Sequence, residues 1–213
     1  MTSIDPDAIA AGFATLAAHA GALILDIRAR GPATRVKADA SPVTEADEAA
    51  EALILEGLED LLPGVPVLAE EEAAAGRVPV LGTRFLVVDP LDGTKDFIAG
   101  GADYTVNIAL VDHGVPVAGA VHQPETATTW WGGTRAFRRI GAAPATPIRV
   151  RAPTAAGLVA VVSRSNHVAE TDRWLDRLGV TTRLPAGSSL KFCRVAEGAA
   201  DIYARHGPVM EWD

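Results

Sequence analysis

The stretch Val-Val-Asp-Pro-Leu-Asp-Gly-Thr, residues 87–94, decides how this chain is interpreted. A short apolar run leads directly into two closely spaced carboxylates, Asp89 and Asp92, and then into a Gly-Thr turn. At about 4 Å and an effective dielectric constant near 20, two carboxylates repel by roughly 4 kcal/mol, so a cation or a proton must accompany them. The segment is therefore either half of a metal site or an ordinary turn, because Asp-Pro and Asp-Gly both initiate turns.

The bulk composition predicts a globular protein without a basic binding face. The chain has 213 residues, of which 48% are apolar, and a net charge of -8. This charge argues against binding to nucleic acid but leaves small phosphorylated substrates open if cations bridge them. Cys193 is the single cysteine, so we expect no disulfide framework and a reducing cytoplasm. The apolar run 8–25 predicts a soluble amphipathic helix rather than a transmembrane segment.

Helical spacing is clearest in the first third of the chain. Residues 5–29 read as a helix that stops at Gly31-Pro32, and a second helix is predicted from the N-cap Thr44 to Leu62. In that second helix the glutamates, Glu51 among them, lie off the apolar stripe. Two short apolar strands follow, and they end in Glu70 and Asp89, which is where open sheets place ligands.

The rest of the chain divides into an antiparallel and an alternating part. Residues 104–111 and 115–121 form a predicted hairpin, and further strands follow around Trp130-Trp131. The composition then changes to Ala, Pro and Thr, and strands alternate with helices up to residue 204. We expect an α+β domain over residues 1–145 and an α/β domain over residues 146–213.

Four acidic segments are the candidates for chemistry, and each also has a structural interpretation. In these interpretations Asp47 completes a capping box with Thr44, the acids 70–72 form a solvated loop, and Asp213 is an ordinary chain end. Only oxygen donors recur, which favours Mg²⁺ or Mn²⁺ over zinc. Pro90 stands where a haloacid-dehalogenase-type phosphatase would carry its nucleophilic aspartate, so direct attack by a metal-activated water is favoured.

These segments resemble the signature set of the inositol monophosphatase superfamily of lithium-sensitive phosphatases. The resemblance rests on Asp89-Pro-Leu-Asp-Gly-Thr94, Val43-Thr-Glu-Ala-Asp47, Ala69-Glu-Glu71 and Glu211-Trp-Asp213, in the same order over nearly the whole chain. Gly187-Ser-Ser-Leu-Lys-Phe-Cys193 is similar to the bacterial 3'(2'),5'-bisphosphate nucleotidase branch. The resemblance implies an alternating α-β-α-β-α layered sandwich and a cytoplasmic enzyme of sulfate assimilation that hydrolyses 3'-phosphoadenosine 5'-phosphate.

The resemblance also implies a set of metal ligands and catalytic residues. One Mg²⁺ would be held by Glu70, Asp89 and the Leu91 carbonyl, a second by Asp89, Asp92 and Asp213, and a weaker third near Glu70, with Mn²⁺ as a substitute and Li⁺ as an inhibitor. Asp47, Thr94 and Glu70 would be catalytic, with the Thr94 hydroxyl and Asp47 activating water. The residues expected to contact substrate are Gly93, Thr94, Ser163, Gly187, Ser188, Lys191, Arg205 and Asp213.

Several alternatives stay open at the level of sequence. The same chemistry could serve inositol monophosphate, fructose 1,6-bisphosphate or histidinol phosphate, or the chain could be a catalytically silent cation-binding derivative. In the family the Trp-Asp pair opens a helix, whereas this chain stops at Asp213, so the second domain is expected to be incomplete relative to the family. Monomer and homodimer are both compatible with the sequence.

Overall fold

The fold is described by a computed structural model that covers residues 5–31, 33–37, 42–153, 155, 157–164, 168–207 and 209–212. Its helices are α1 (Pro6–Ala29), α2 (Glu45–Leu61), α3 (Glu70–Ala74), α4 (Thr94–Ile98), α5 (Ala169–Arg177) and α6 (Leu190–Ala196). A short 3-10 helix spans Pro124–Thr126. The strands of the first half are β1 (Thr34–Val36), β2 (Pro42–Thr44), β3 (Val67–Ala69), β4 (Arg84–Asp92), β5 (Thr105–Asp112) and β6 (Val115–Gln123). Those that follow are β7 (Thr128–Gly132), β8 (Ala136–Ile140), β9 (Thr146–Ile148), β10 (Leu158–Ser163), β11 (Val180–Ala186) and β12 (Ile202–Tyr203).

Helix α1 buries one face in the core, as expected of the predicted amphipathic helix. The Asp5 side chain caps it by accepting hydrogen bonds from the amides of Asp7 and Ala8. Among the described residues it is the one helix long and apolar enough to cross a membrane. Its buried face, however, packs against α2 and against strands β5, β6 and β7. Its apolar composition is thus accounted for by packing within the protein.

A seven-stranded sheet forms the centre of the molecule. The strand order is β3-β4-β5-β6-β7-β8-β9, with β3 and β4 parallel and every other neighbouring pair antiparallel. Helices α1 and α2 cover one face, where Leu86, Val88, Ile108 and Leu110 are buried against them. The β5-β6 hairpin turns at His113 and Gly114, both with positive φ, and this confirms the predicted tight turn.

A smaller parallel sheet, with strand order β11-β10-β12, forms a further layer. Helix α6 contacts β10 and β12 of this sheet and β6 of the large one, so it lies between the two sheets. Helix α5 packs on β11. The order of layers is therefore α1 and α2, large sheet, α6, small sheet and α5, which confirms the expected alternating sandwich.

Two features differ from what the sequence predicts. Glu51, expected off the apolar stripe, is 3% exposed because its carboxylate accepts the amides of Glu71 and Glu72 at 2.8 and 2.9 Å. These bonds satisfy amides at the start of α3, in the acidic run that could have been a solvated loop. Strand β9 was not predicted; it pairs with β8 and so belongs to the large sheet. The division at residue 145 stays a prediction.

Candidate active site

The segment from Asp89 to Thr94 lies at the carboxyl end of β4, where the strand leaves its regular pairing. Asp89 pairs with Asn107 and Asp92 pairs with Thr105, with an irregularity between them. Asp89 is 2% exposed, and its Oδ1 accepts the Leu91 amide at 3.0 Å. The irregularity therefore places Asp89, Leu91 and Asp92 together at the carboxyl end of β4.

Gly93 is required at the next position by close contact. Its φ is 99°, and a side chain there would begin 2.9 Å from the Asp103 carbonyl oxygen and 3.2 Å from the Tyr104 Cα. The chain turns at Gly93 and enters α4 at Thr94. The Asp-Gly-Thr sequence is thus both a turn and a candidate ligand segment, so the two interpretations of residues 89–93 describe one structure.

The parallel pairing of β3 and β4 brings the second acidic segment to the same edge. Ala69 pairs with Val88, so Glu70 and Asp89 are the next residues along adjacent strands. The Lys37 ammonium lies 2.7 Å from carboxylate oxygens of both Glu70 and Glu71. Burial lowers the pKa of Lys37, but these two partners outweigh it and raise the pKa overall. The pKa of Glu71 rises to about 7 because burial exceeds the opposing effect of Lys37.

Asp47 joins α2 to the Asp-Gly-Thr turn. Its Oδ2 accepts the Thr44 amide at 2.8 Å and the Thr44 hydroxyl at 2.6 Å, which completes the capping box. Its Oδ1 accepts the Thr94 hydroxyl at 3.0 Å, and the same hydroxyl lies 3.2 Å from the Leu91 carbonyl. Asp47 is 1% exposed, and burial raises its pKa against these hydrogen bonds. The capping interpretation and the predicted contact with Thr94 are therefore both correct.

Residues of the second sheet reach this edge through the turn that follows β11. The Ser188 hydroxyl donates to Asp92 Oδ2 at 2.7 Å and lies 2.5 Å from the Thr105 hydroxyl. Ser188 has a φ of 51°, a conformation that non-glycine residues rarely adopt. Ser189 continues this network, since its hydroxyl donates to Asn107 Oδ1 at 2.8 Å.

The predicted substrate residues Ser188, Lys191 and Arg205 line one cleft beside Asp92, with a volume of about 300 Å³. Lys191 is only 6% exposed; its ammonium donates to the Ser188 carbonyl and lies 5.6 Å from the centre of the Tyr203 ring. Ser163 ends β10, where it pairs with Ala186. The Gly187 amide donates to Asp103 Oδ2 at 2.7 Å. Asp213 lies outside the described residues.

Sequence reasoning missed three residues that the structure brings to the site. Lys37 bridges two glutamates, Glu51 supports the start of α3, and Asp103 binds the turn after β11. A helical signal existed for Glu51, because it is four residues after Asp47 on the same face of α2. Lys37 and Asp103 carry no local pattern.

The residues at this edge fit a hard divalent cation by donor type. The candidate ligands are carboxylates and one backbone carbonyl, as Mg²⁺ prefers, and no histidine is among them. Within the described ranges, no three acidic, histidine or cysteine side chains form a ready-made ligand cluster. The Leu91 carbonyl is a backbone donor, and the predicted ligand Asp213 lies outside the described residues. A cation here would draw on backbone and side-chain oxygen together.

The family model described as the inositol monophosphatase family matches residues 5–213. The chain belongs to the inositol monophosphatase family. A solved member of this family, CysQ from Bacteroides thetaiotaomicron, is 33% identical, with a TM-score of 0.77 over 97% of this chain and 82% of that one.

Relatives in the inositol monophosphatase family carry more than one function in their names. The 3'(2'),5'-bisphosphate nucleotidase CysQ of Escherichia coli K12 is 44% identical over 83% of this chain and 71% of its own length. A histidinol-phosphatase of Mycobacterium tuberculosis is 34% identical over 83% of this chain and 69% of its own length. The chain therefore spans roughly seven to eight tenths of these family members.

Proposed function

We propose that this protein is a Mg²⁺-dependent 3'(2'),5'-bisphosphate nucleotidase that releases the 3'-phosphate of 3'-phosphoadenosine 5'-phosphate to leave AMP. The observation that carries the proposal is the Thr94 hydroxyl, 3.0 Å from the buried Asp47 carboxylate and at the edge that holds Asp89 and Asp92. A hydroxyl bonded to a buried carboxylate is suited to take a proton from water, provided that anionic phosphate can approach the acids.

Magnesium would attract the anionic phosphate to these acids and would stabilise the charge that develops on the phosphoryl and leaving-group oxygens. Glu70, Asp89 and the Leu91 carbonyl would hold one ion, and Asp89, Asp92 and Asp213 a second. A weaker third ion near Glu70, substitution by Mn²⁺ and inhibition by Li⁺ belong to the same proposal. The oxygen-only donor set supports it.

The chain's own groups would position the nucleophile and the phosphate. Thr94 would accept a proton from the attacking water while passing its own proton to Asp47 Oδ1. The amides of Gly93 and Thr94 would bind phosphate oxygens at the sharp turn that the left-handed Gly93 creates. Asp47 is fixed by the Thr44 amide and hydroxyl, so its orientation toward Thr94 is set by the start of α2.

The cleft beside Asp92 supports a substrate with a second anionic group. Arg205 and Lys191 provide positive charge there, and Tyr203 and Phe192 provide aromatic surface on the same cleft. A nucleoside bisphosphate offers both a second phosphate and a flat base. Guanidinium and ammonium groups suit phosphate as charge-assisted donors. The names of the CysQ relatives support the same substrate class.

Release of inorganic phosphate from four esters at equal concentration tests the proposal. The esters are 3'-phosphoadenosine 5'-phosphate, inositol 1-phosphate, fructose 1,6-bisphosphate and histidinol phosphate, the last because of the histidinol-phosphatase relative. We expect the adenosine bisphosphate to be hydrolysed fastest, with loss of turnover in a chelator and inhibition by Li⁺. Faster hydrolysis of any other ester would overturn the substrate, and Mg²⁺ binding without turnover of all four would indicate a silent derivative.

A further inference from the structure

Asp103 connects the two sheets at a position close to the candidate active site. Its Oδ2 accepts the Gly187 amide at 2.7 Å and lies 2.9 Å from an Arg164 nitrogen. Its own amide donates to Asp96 Oδ2 at 2.8 Å. Asp96 belongs to α4, the helix that starts at Thr94, whereas Gly187 and Arg164 follow strands of the small sheet. One residue thus bonds to both sides of the site.

The turn held by Asp103 has little freedom to shift. A Cβ on Gly187 would lie 2.6 Å from the Asp103 Cβ, so the backbone approaches the aspartate as closely as a residue without a side chain allows. The next residue, Ser188, adopts a φ of 51° and directs its hydroxyl to Asp92 at 2.7 Å. The hydrogen bond from Gly187 to Asp103 therefore lies next to Ser188, whose backbone is strained and whose side chain contacts the candidate metal ligand Asp92.

We propose that Asp103 is a positioning residue that holds the turn 187–189 against the Asp-Gly-Thr segment, so that the Ser188 hydroxyl orients Asp92. The proposal rests on the proposed function in that Asp92 belongs to the reacting site. The hydrogen bond from the Gly187 amide to Asp103, rather than the ion pair between Asp103 and Arg164, carries the effect. Arg164 has a side chain that is 52% exposed, and ion pairs so accessible to solvent contribute little.

Asp201 offers a matched control because it makes the same kinds of contact elsewhere. Its Oδ2 accepts the Val159 amide at 2.7 Å, and its two oxygens lie 2.9 Å from Arg151 nitrogens. Asp201 supports the start of β10, at the opposite end of that strand from Ser163. Replacing either aspartate removes one amide acceptor and one arginine partner, but only Asp103 bonds to the turn that carries Ser188.

The test measures kcat, the affinity for Mg²⁺ by isothermal titration, and the melting temperature of Asp103→Ala, Asp103→Asn, Arg164→Gln and Asp201→Ala. We expect Asp103→Ala to lower kcat by roughly 10- to 100-fold, because a displacement of about 1 Å in a reacting group has effects of that size. Mg²⁺ should also bind more weakly. Asp103→Asn keeps an acceptor for the Gly187 amide and should recover most of both properties, whereas Asp201→Ala should only lower the melting temperature.

Two outcomes would overturn the proposal: an Asp103→Ala variant with parental kcat and Mg²⁺ affinity, or an Asp201→Ala variant with equal losses. If Asp103→Ala does not fold, Gly187→Ala, which forces the turn away from Asp103, takes its place in the comparison. The assay uses the ester that the parent hydrolyses fastest, so an incorrect substrate leaves the test intact. If the parent hydrolyses none, the Mg²⁺ titration decides.

Discussion

Two buried titratable groups, His122 on strand β6 and Asp47 on helix α2, have different surroundings. His122, under α1, is 5% exposed, and burial, followed by the charge of Arg139, lowers its pKa to about 4. Its ring stays neutral and bonds to Thr129 at 2.8 Å. Asp47, 1% exposed, has its pKa raised by burial, but its carboxylate accepts hydrogen bonds from Thr44 and Thr94 that favour the charged form and oppose this rise. Burial thus favours the neutral form of both groups, but at Asp47 the hydrogen-bond donors around the carboxylate oppose this effect.

The largest expected effect comes from removing the charge of Asp89, a proposed metal ligand. Asp89→Asn should lower kcat by roughly 10³-fold, since metal-ion stabilisation of a transition state is worth several kcal/mol and each 1.36 kcal/mol is tenfold. Folding should change little, because the amide oxygen can still accept the Leu91 amide. Phosphate release at saturating Mg²⁺ and thermal melting provide the two measurements.

Asp201→Asn is the control for that variant, because Asp201 is bonded to Arg151 and far along the small sheet from the edge that holds Asp89. It should melt at a lower temperature and keep the parental kcat. Retained turnover in Asp89→Asn would exclude Asp89 as a metal ligand.

Acid should destabilise the protein through protonation of the buried His122. The folded pKa of His122 is about 4 against an ordinary 6.5, so the unfolded chain binds a proton there at a higher pH than the folded chain. The resulting stability is present above pH 6.5 and is lost as the pH falls toward 4, by up to roughly 3 kcal/mol. Urea unfolding of the parent and of His122→Gln between pH 7 and pH 4 isolates this contribution. Parallel stability curves for the two proteins would contradict it.

A smaller effect is expected from removing the Thr94 hydroxyl while keeping the volume of the side chain. Thr94→Val keeps the volume but removes the proton that Asp47 accepts, so kcat should fall by roughly 10²-fold, the lower range for general acid-base catalysis. Thr94→Ser restores the hydroxyl and should restore most of the rate. An active valine variant, or a serine variant as slow as the valine one, would show that the hydroxyl does not move a proton.

Much of the fold follows from local pattern, and the exceptions have a common cause. Helices α1 and α2, the β5-β6 hairpin and the strands that end in Glu70 and Asp89 were predicted because each has its own periodicity and turn residues. Strands β1, β2 and β9 have three residues each, as β3 has, but each contains a threonine and an arginine or a proline instead of a continuous apolar run. In the structure β1 and β2 pair with each other, and β9 pairs with β8.

The candidate site was predictable where its residues form a motif and not where they act across the chain. The pair of Asp47 and Thr94 was expected from the family resemblance and is confirmed at 3.0 Å. Asp103 binds Gly187 from 84 residues away, and Glu51 reaches the amide of Glu71 from 20 residues away. Such contacts depend on how elements distant in sequence pack together, which no local spacing records.

In the proposed mechanism, Asp47 links the start of a helix to proton transfer. First turns of helices open locally at free energies well below that of global unfolding. Opening of the first turn of α2 would separate Asp47 from Thr44 and from Thr94 at once, since one carboxylate serves both. If this turn opens on warming before the seven-stranded sheet does, turnover would decline while the sheet is still intact.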